Sequence, residues 1–306
     1  MDLSAPLSRR AAIIAFNALV AAPGLCPAES DEAYRRSLEK ERNKADEEFK
    51  SAHGPLTLLA RFSPRDGKWT VGSDPSCAFV LPGSSAPSRV GEVIVMPGKA
   101  TLRFAQGVGA TAGGKPIRSL DADSQATTPL TATVGELRFH LYFIRDGQLQ
   151  ISVSDPNSTL RREAQPRSWF PVDKRYRIVA DWVPYDIPKH VMFLDNDGSS
   201  RDRNIPGYAT FETDGKKMRM TAILRPENPK PFFVFGDTTN GHETYGAGRF
   251  LESDPPKNGK MTLDFNTAHN PLCAYNHEYL CPVAPRENRL SVPIRAGERK
   301  YPGNHS

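Results

Sequence analysis

Apolar residues are sparse between Ser30 and Ala52 and fall at Tyr34, Leu38, Ala45 and Phe49 in an otherwise charged run. Residues four and seven apart share one face of a helix, so this spacing predicts an amphipathic helix within residues 29–53. Ser30 supplies its cap, and Asp31 and Glu32 lie where the helix dipole favours acids. From Pro55 the pattern changes to short alternating segments divided by Gly, Pro, Asn and Ser. Leu56–Phe62, Ala78–Leu81, Val90–Val95, Ala100–Phe104, Leu137–Ile144 and Leu149–Val153 read as strands, and their spacing predicts a small β-sandwich-like domain over residues 54–155. A polar link, 156–168, holds Arg161, Arg162, Pro166 and Arg167.

Strand patterns resume in a second antiparallel β domain, 169–306. They cover Tyr176–Trp182, His190–Leu194, Tyr208–Glu212, Lys217–Leu224, Pro231–Phe235, Thr244–Leu251, Lys260–Asn266 and Leu290–Arg295. Asp195-Asn196-Asp197-Gly198, Thr213-Asp214-Gly215, Asn240-Gly241 and Lys257-Asn258-Gly259 are turn signals, because their residues tolerate positive φ. The expected fold is therefore mostly β with one N-terminal helix.

The first 28 residues differ from the rest. Arg9-Arg10 precede the apolar run Ala11–Ala22, and small residues lead to Ala28. That order predicts a cleavable signal peptide over 1–28 and a periplasmic or secreted protein; the run is too short for a stable membrane span. The chain of 306 residues carries a net charge of +5, but its basic residues are interspersed with acids. Without a block of like charge, nucleic acid is not an expected partner. Export would place Cys273 and Cys281 in an oxidising compartment, where a disulfide closing this short loop would contribute about 2.5 kcal/mol.

The densest chemistry lies in Phe235–Phe250 and in Leu263-Asp264-Phe265-Asn266. Alternation puts Tyr245, Ala247, Arg249 and Leu251 on one face of a strand and Gly246 and Gly248 on the other, where a ligand or a backbone can approach. Asp264 and Asn266 share a face of the next strand. One reading makes Asp237, Tyr245, Gly246, Gly248, Arg249, Asn266 and Asn270 a ligand site, with the Arg249 fork clamping an anion. His242, Glu243 and Asp264 would move protons in a catalytic variant of the same pocket. The competing reading is an ion pair between Arg249 and Asp264, with Asp237 and Asn240 shaping a turn. His269, Cys273, His277 and Cys281 recur every fourth residue and would share a helix face suited to zinc, but Pro271 and Pro282 interrupt the segment. No metal or other cofactor is expected. Nucleophile-elbow, phosphate-loop and dinucleotide motifs are missing from the sequence.

Two resemblances add to this. Gly72–Pro82, Gly113-Gly114-Lys115-Pro116 and Val134–Leu137 resemble the layout of forkhead-associated domains, although Ser73 stands where phosphothreonine readers place Arg. Trp169–Asp173, Phe235–Phe250, Leu263–Asn266, Asn270-Pro271, Cys273–Tyr275, Cys281-Pro282 and Glu287–Leu290 resemble the bacterial DUF1684 family, over about Ala33 to Pro302. Pro55 departs from the family's Trp, and Asn276-His277-Glu278 from a Thr/Pro-like stretch. That resemblance implies a mostly β protein with a preceding helix and no established activity. The leading expectation is recognition of a small polar or anionic molecule in a pocket of the second domain. The alternatives are a cofactor-independent hydrolase or lyase using Asp264, Glu243 and His242, and a structural or interaction module of the cell envelope.

Overall fold

A computed structural model describes residues 30–83, 85–126, 128–144, 147–225 and 228–303. The signal-peptide segment lies outside the described residues. Helix α1 (Asp31–Lys50) begins where Ser30 accepts the Ala33 N–H, and it buries Tyr34, Leu38 and Phe49. Eleven strands follow: β1 (Leu58–Phe62), β2 (Gly67–Gly72), β3 (Phe79–Val80), β4 (Gly91–Met96), β5 (Lys99–Phe104), β6 (Ala110–Ala112), β7 (Lys115–Ile117), β8 (Ser119–Asp123), β9 (Leu130–Val134), β10 (Leu137–Phe143) and β11 (Leu149–Ser154). They form a six-stranded sheet, β1-β11-β10-β9-β6-β7, and a five-stranded sheet, β3-β2-β4-β5-β8. Alternate residues such as Val93, Leu102, Leu137, Phe139 and Val153 meet in one core. A short helix, α2 (Thr159–Arg162), lies in the link.

The second unit is one antiparallel sheet in the order β16-β15-β14-β13-β12-β17. Its strands are β12 (Arg177–Leu194), β13 (Ser200–Thr213), β14 (Lys216–Arg225), β15 (Asn228–Phe235), β16 (Arg249–Glu252) and β17 (Lys260–Asp264). The two segments expected on either side of Pro184 and Pro188 are one long strand. Its register with β13 shifts between Pro184 and Lys189, where prolines cannot donate to a ladder. Phe233, Phe235, Phe265 and Leu263 are fully buried in its core, and burial of each such side chain contributes about 1.5–3 kcal/mol. Asp214 and Gly215, at φ 48° and 68°, turn the β13–β14 hairpin, and Asn258 and Gly259 do the same before β17.

The Asn240-Gly241 hairpin and the strand from Thr244 are not formed. Between β15 and β16 the chain turns repeatedly because its polar side chains serve the backbone locally. Asp237 accepts from Thr239 N and Oγ1, at 2.8 and 2.6 Å. Asn240 donates to Thr244 Oγ1 and to the Tyr245 carbonyl, at 3.0 and 2.8 Å. Such bonds compete with a strand ladder, so pairing begins only at Arg249.

Helix α1 packs across the second unit, and its end reaches the junction of the two units. There Phe49 meets Leu56, Tyr275 and Tyr301. Nearby, Asn276 donates to the Leu58 carbonyl at 2.7 Å, Glu278 accepts from Arg61 N at 2.9 Å, and Tyr279 donates to the Pro55 carbonyl at 3.2 Å. No helix among the described residues is long and apolar enough to cross a membrane.

Candidate functional site

Arg249 and Asp264 do not meet. Arg249 is 0% exposed. Its Nη2 donates to Asp237 Oδ2 at 2.9 Å and to the Ile294 carbonyl at 2.8 Å, and its Nη1 donates to the carbonyls of Ala296 and Glu298 at 2.5 and 3.2 Å. Asp237 also accepts from Ile294 N at 3.2 Å. The guanidinium thus ties the chain's last segment to β16, with both terminal nitrogens spent on protein groups and its buried Nε left without a partner. Gly248 does allow a close approach, but by backbone. At φ 104° a Cβ on it would stand 2.5 Å from the Phe235 carbonyl oxygen. Gly246 is exposed, and a Cβ there would meet only Gly241, at 3.9 Å.

Asp264 and Asn266 do come together, with an unforeseen third partner from α1. The Tyr34 hydroxyl donates to both oxygens of Asp264, at 2.8 and 2.7 Å, and accepts from Asn266 Nδ2 at 3.2 Å. Burial first, and then the hydrogen bond to Asp264, push the Tyr34 phenol well above its usual range. Asp264 also caps the turn Phe265–Thr267 and lies 3.8 Å from Arg177 Nε. Asn266 is fully buried and exchanges bonds with Asp173, accepting from its N–H and donating to its carbonyl. A groove of about 580 Å³ opens here, lined by Tyr34, Arg177, Lys257 and Asp264 among others.

The other candidates lie in separate networks. His242 is exposed, and Glu243 is paired with Arg295 at 2.9 Å. That pairing holds the Glu243 carboxyl below the usual carboxylate range. Neither residue shares a partner with Asp264, so the proton-transfer trio is not assembled. Asn270 donates to the Arg299 carbonyl at 2.8 Å, and its own N–H goes to the buried Glu298 at 3.0 Å. Tyr245 reaches Cys273 Sγ at 3.9 Å, and burial raises its phenol. Cys273 and Cys281 are neighbours but free thiols, not the disulfide expected, and the Cys273 N–H donates to Cys281 Sγ at 3.4 Å. The interaction with Cys281, and then burial, push the Cys273 thiol up, while the Cys281 thiol is lowered by its neighbour. The zinc arrangement fails on geometry. The segment forms a short 3-10 turn at Leu272–Ala274, and His277 points outward, 82% exposed, beside Glu278.

A second cavity, of about 290 Å³, lies beneath α1 and adjoins the groove, sharing Leu38, Glu41 and Thr267 with it. Its walls are Leu38, Glu41, Arg42 and Ala45 of α1, Arg167 and Trp169 after the link, and Asn266, Thr267 and His269 after β17. The guanidinium carbons of Arg42 and Arg167 lie 4.8 and 5.3 Å from the centre of the Trp169 ring. Arg42 donates to the carbonyls of Phe170 and Asn266, at 3.1 and 2.9 Å. Arg167 pairs with Asp46, through Nε at 2.7 Å, and its Nη1 lies 4.0 Å from Glu298. Arg42 Nε and Trp169 Nε1 are buried without a hydrogen-bond partner, whereas Arg167 Nη2 lies 2.5 Å from Asp46 Oδ1. His269 lies with its ring edge-on to Phe250 and its Nδ1 3.4 Å from the Thr267 carbonyl. Burial lowers its pKa and keeps it neutral. Of these residues, sequence reasoning had singled out only Asn266 as a site residue and His269 as a possible metal ligand. The missed signal is Arg42 itself. It stands at i+4 from Leu38, on the apolar stripe of a helix, where a cation is seldom placed without cause.

No curated protein matches the chain. Among solved structures it matches the solution NMR structure of an uncharacterized protein from gene locus rrnAC0354 of Haloarcula marismortui, at 28% identity and a TM-score of 0.41. The match covers 49% of this chain and 85% of that one. Residues 166–299, which run from the end of the link through Arg249, Asp264 and the thiol pair to Arg299, match the model of the DUF1684 family, described as a protein of unknown function.

Proposed function

We propose that this protein binds a small anionic molecule in the cavity beneath α1. The observation that carries the reading is the Trp169 ring with two guanidiniums beside it and two buried nitrogens, Arg42 Nε and Trp169 Nε1, left without partners. Buried donors are normally paired, and an unpaired one calls for a water, an ion or a ligand. A site held by donors on α1 and on the segment 166–169 also explains why a highly charged helix packs on the second domain. The test is thermal denaturation against a panel of small anions, with wild type and Arg42→Gln compared. A ligand at about 100 times its Kd adds about 2.7 kcal/mol of stability. That gain is expected in wild type and is lost in the variant; a gain that survives the substitution refutes the assignment.

Export belongs to the same proposal. In an oxidising compartment the Cys273 and Cys281 thiols would lose two protons and two electrons to a disulfide oxidant and close the loop between them. Thiol titration of the denatured, unreduced protein recovered from its native compartment checks this. Reactive Cys273 and Cys281 would sink it.

A further inference from the structure

Resting on the anion reading, we infer that the ligand is a small monocarboxylic acid with an apolar body, its carboxylate meeting Arg42 and its body lying against Leu38 and Ala45. The first argument is a count of charge. Arg42 forms no ion pair among the described residues, and both of its hydrogen bonds go to neutral carbonyls. Arg167, by contrast, is already paired with Asp46. Glu39, Asp46 and Asp264 act on Arg42 only from beyond ion-pair distance, so a carboxylate from outside is the acid that can meet this half-withdrawn guanidinium directly.

The rim supplies the second argument. Glu41 lines both the cavity and the adjoining groove, and Asp46 stands behind Arg167. A second negative charge on the ligand would face these carboxylates. That disfavours phosphate dianions and polyphosphates, which a second unpaired arginine or a lysine cluster would favour. His269 adds no cation, since burial keeps its ring neutral.

The third argument is size and lining. A volume of about 290 Å³ corresponds to roughly ten waters of liquid, which is generous for acetate and ample for a benzoate- or octanoate-sized acid. Leu38, Ala45 and the indole of Trp169 give that space an apolar wall. Small organic ligands are typically held this way, by an apolar body and one fixed polar contact.

Calorimetric titration of the full chain with benzoate, octanoate, acetate, phenyl phosphate, inorganic phosphate and benzamide tests the inference. Benzoate or octanoate is expected to bind at least tenfold more tightly than the other four. Arg42→Gln is expected to weaken that binding at least tenfold. Ala45→Leu, which fills the cavity from an exposed helix without disturbing its backbone, is expected to do the same and serves if Arg42→Gln does not fold. Tighter binding of either phosphate, lost in Arg42→Gln, overturns the monocarboxylate and leaves the anion reading standing. Benzamide binding as tightly as benzoate overturns both, because charge is then not recognised. Heat from none of the six also overturns both, and so does benzoate binding that is unchanged in Ala45→Leu.

Discussion

Replacing Arg249 by alanine should nearly unfold this protein, and the cause is local. The side chain and its partner Asp237 are both 0% exposed, so the substitution leaves a buried carboxylate without its counter-ion. Breaking a buried pair in this way costs about 3–5 kcal/mol. Asp237 keeps the Thr239 and Ile294 donors, which moves the expectation toward the lower end. The carbonyls of Ile294, Ala296 and Glu298 lose their donors at the same time, which moves it back up. Against a typical total of about 5–15 kcal/mol, the variant is marginal. Arg249→Lys keeps the charge, but one ammonium cannot span Asp237 and three carbonyls, so a loss of about 1.5–3 kcal/mol is expected. Urea denaturation, analysed for both midpoint and slope, measures these values. A cycle with Asp237→Ala should give a coupling of about 0.5–3 kcal/mol, whereas Arg249→Ala and Asp264→Asn, which share no partner, should add within about 0.5 kcal/mol. A loss below about 1 kcal/mol for Arg249→Ala at unchanged slope refutes the structural role. So would strong coupling to Asp264 with none to Asp237.

Gly248→Ala should cost more than about 1–2 kcal/mol, since φ 104° strains any L residue and the new Cβ meets the Phe235 carbonyl oxygen at 2.5 Å; an unchanged melting temperature refutes it. Asn288 is fully buried, accepts from Thr221 N at 2.7 Å and donates to the carbonyls of Thr221 and Val234, both at 2.9 Å. Asn288→Ala leaves several buried groups unpaired beside the register shift of β14 and β15, so a loss of about 2–4 kcal/mol in urea denaturation is expected, and one below about 1 kcal/mol is inconsistent with it. The depressed pKa of His269 means that the unfolded chain takes up the proton first as pH falls. Its stabilisation is full above about 6.5 and is lost as pH falls through the lower folded value. His269→Gln should therefore flatten the fall in stability on acidification below about pH 6.5, in part only, because His140 is depressed by burial in the same direction; an equal slope in both proteins refutes the assignment.

The helix, the two β units and most turns were legible because each rests on local periodicity or on residues that tolerate positive φ. Ser30, the stripe of Tyr34, Leu38 and Phe49, and Asp214-Gly215 all act where the sequence suggests. The loop from Gly236 to Gly248 was misread for a physical reason. Asp237, Asn240 and Thr244 look like strand residues with polar faces, yet the first two bond to backbone two and five residues away and Thr244 is held by the Asn240 amide. Alternation cannot distinguish polarity turned outward from polarity consumed by a turn.

The same distinction separates the two candidate pockets. Phe235–Phe250 is rich in charge because it satisfies itself, and Arg249 finds an acid twelve residues away and three carbonyls near the chain's end. The cavity beneath α1 takes its cations from segments that carry no conspicuous motif, and Arg42 joins Asn266 across 224 positions. A guanidinium on an apolar helix stripe whose i+4 acid, Asp46, is paired with Arg167 instead has no ion pair on its own helix. Such a residue must either reach solvent or be met by something distant. Here it is met by two carbonyls, which accept its hydrogen bonds and leave its charge. That residual charge is a tertiary property, and it is why a site here could not be found from sequence density alone.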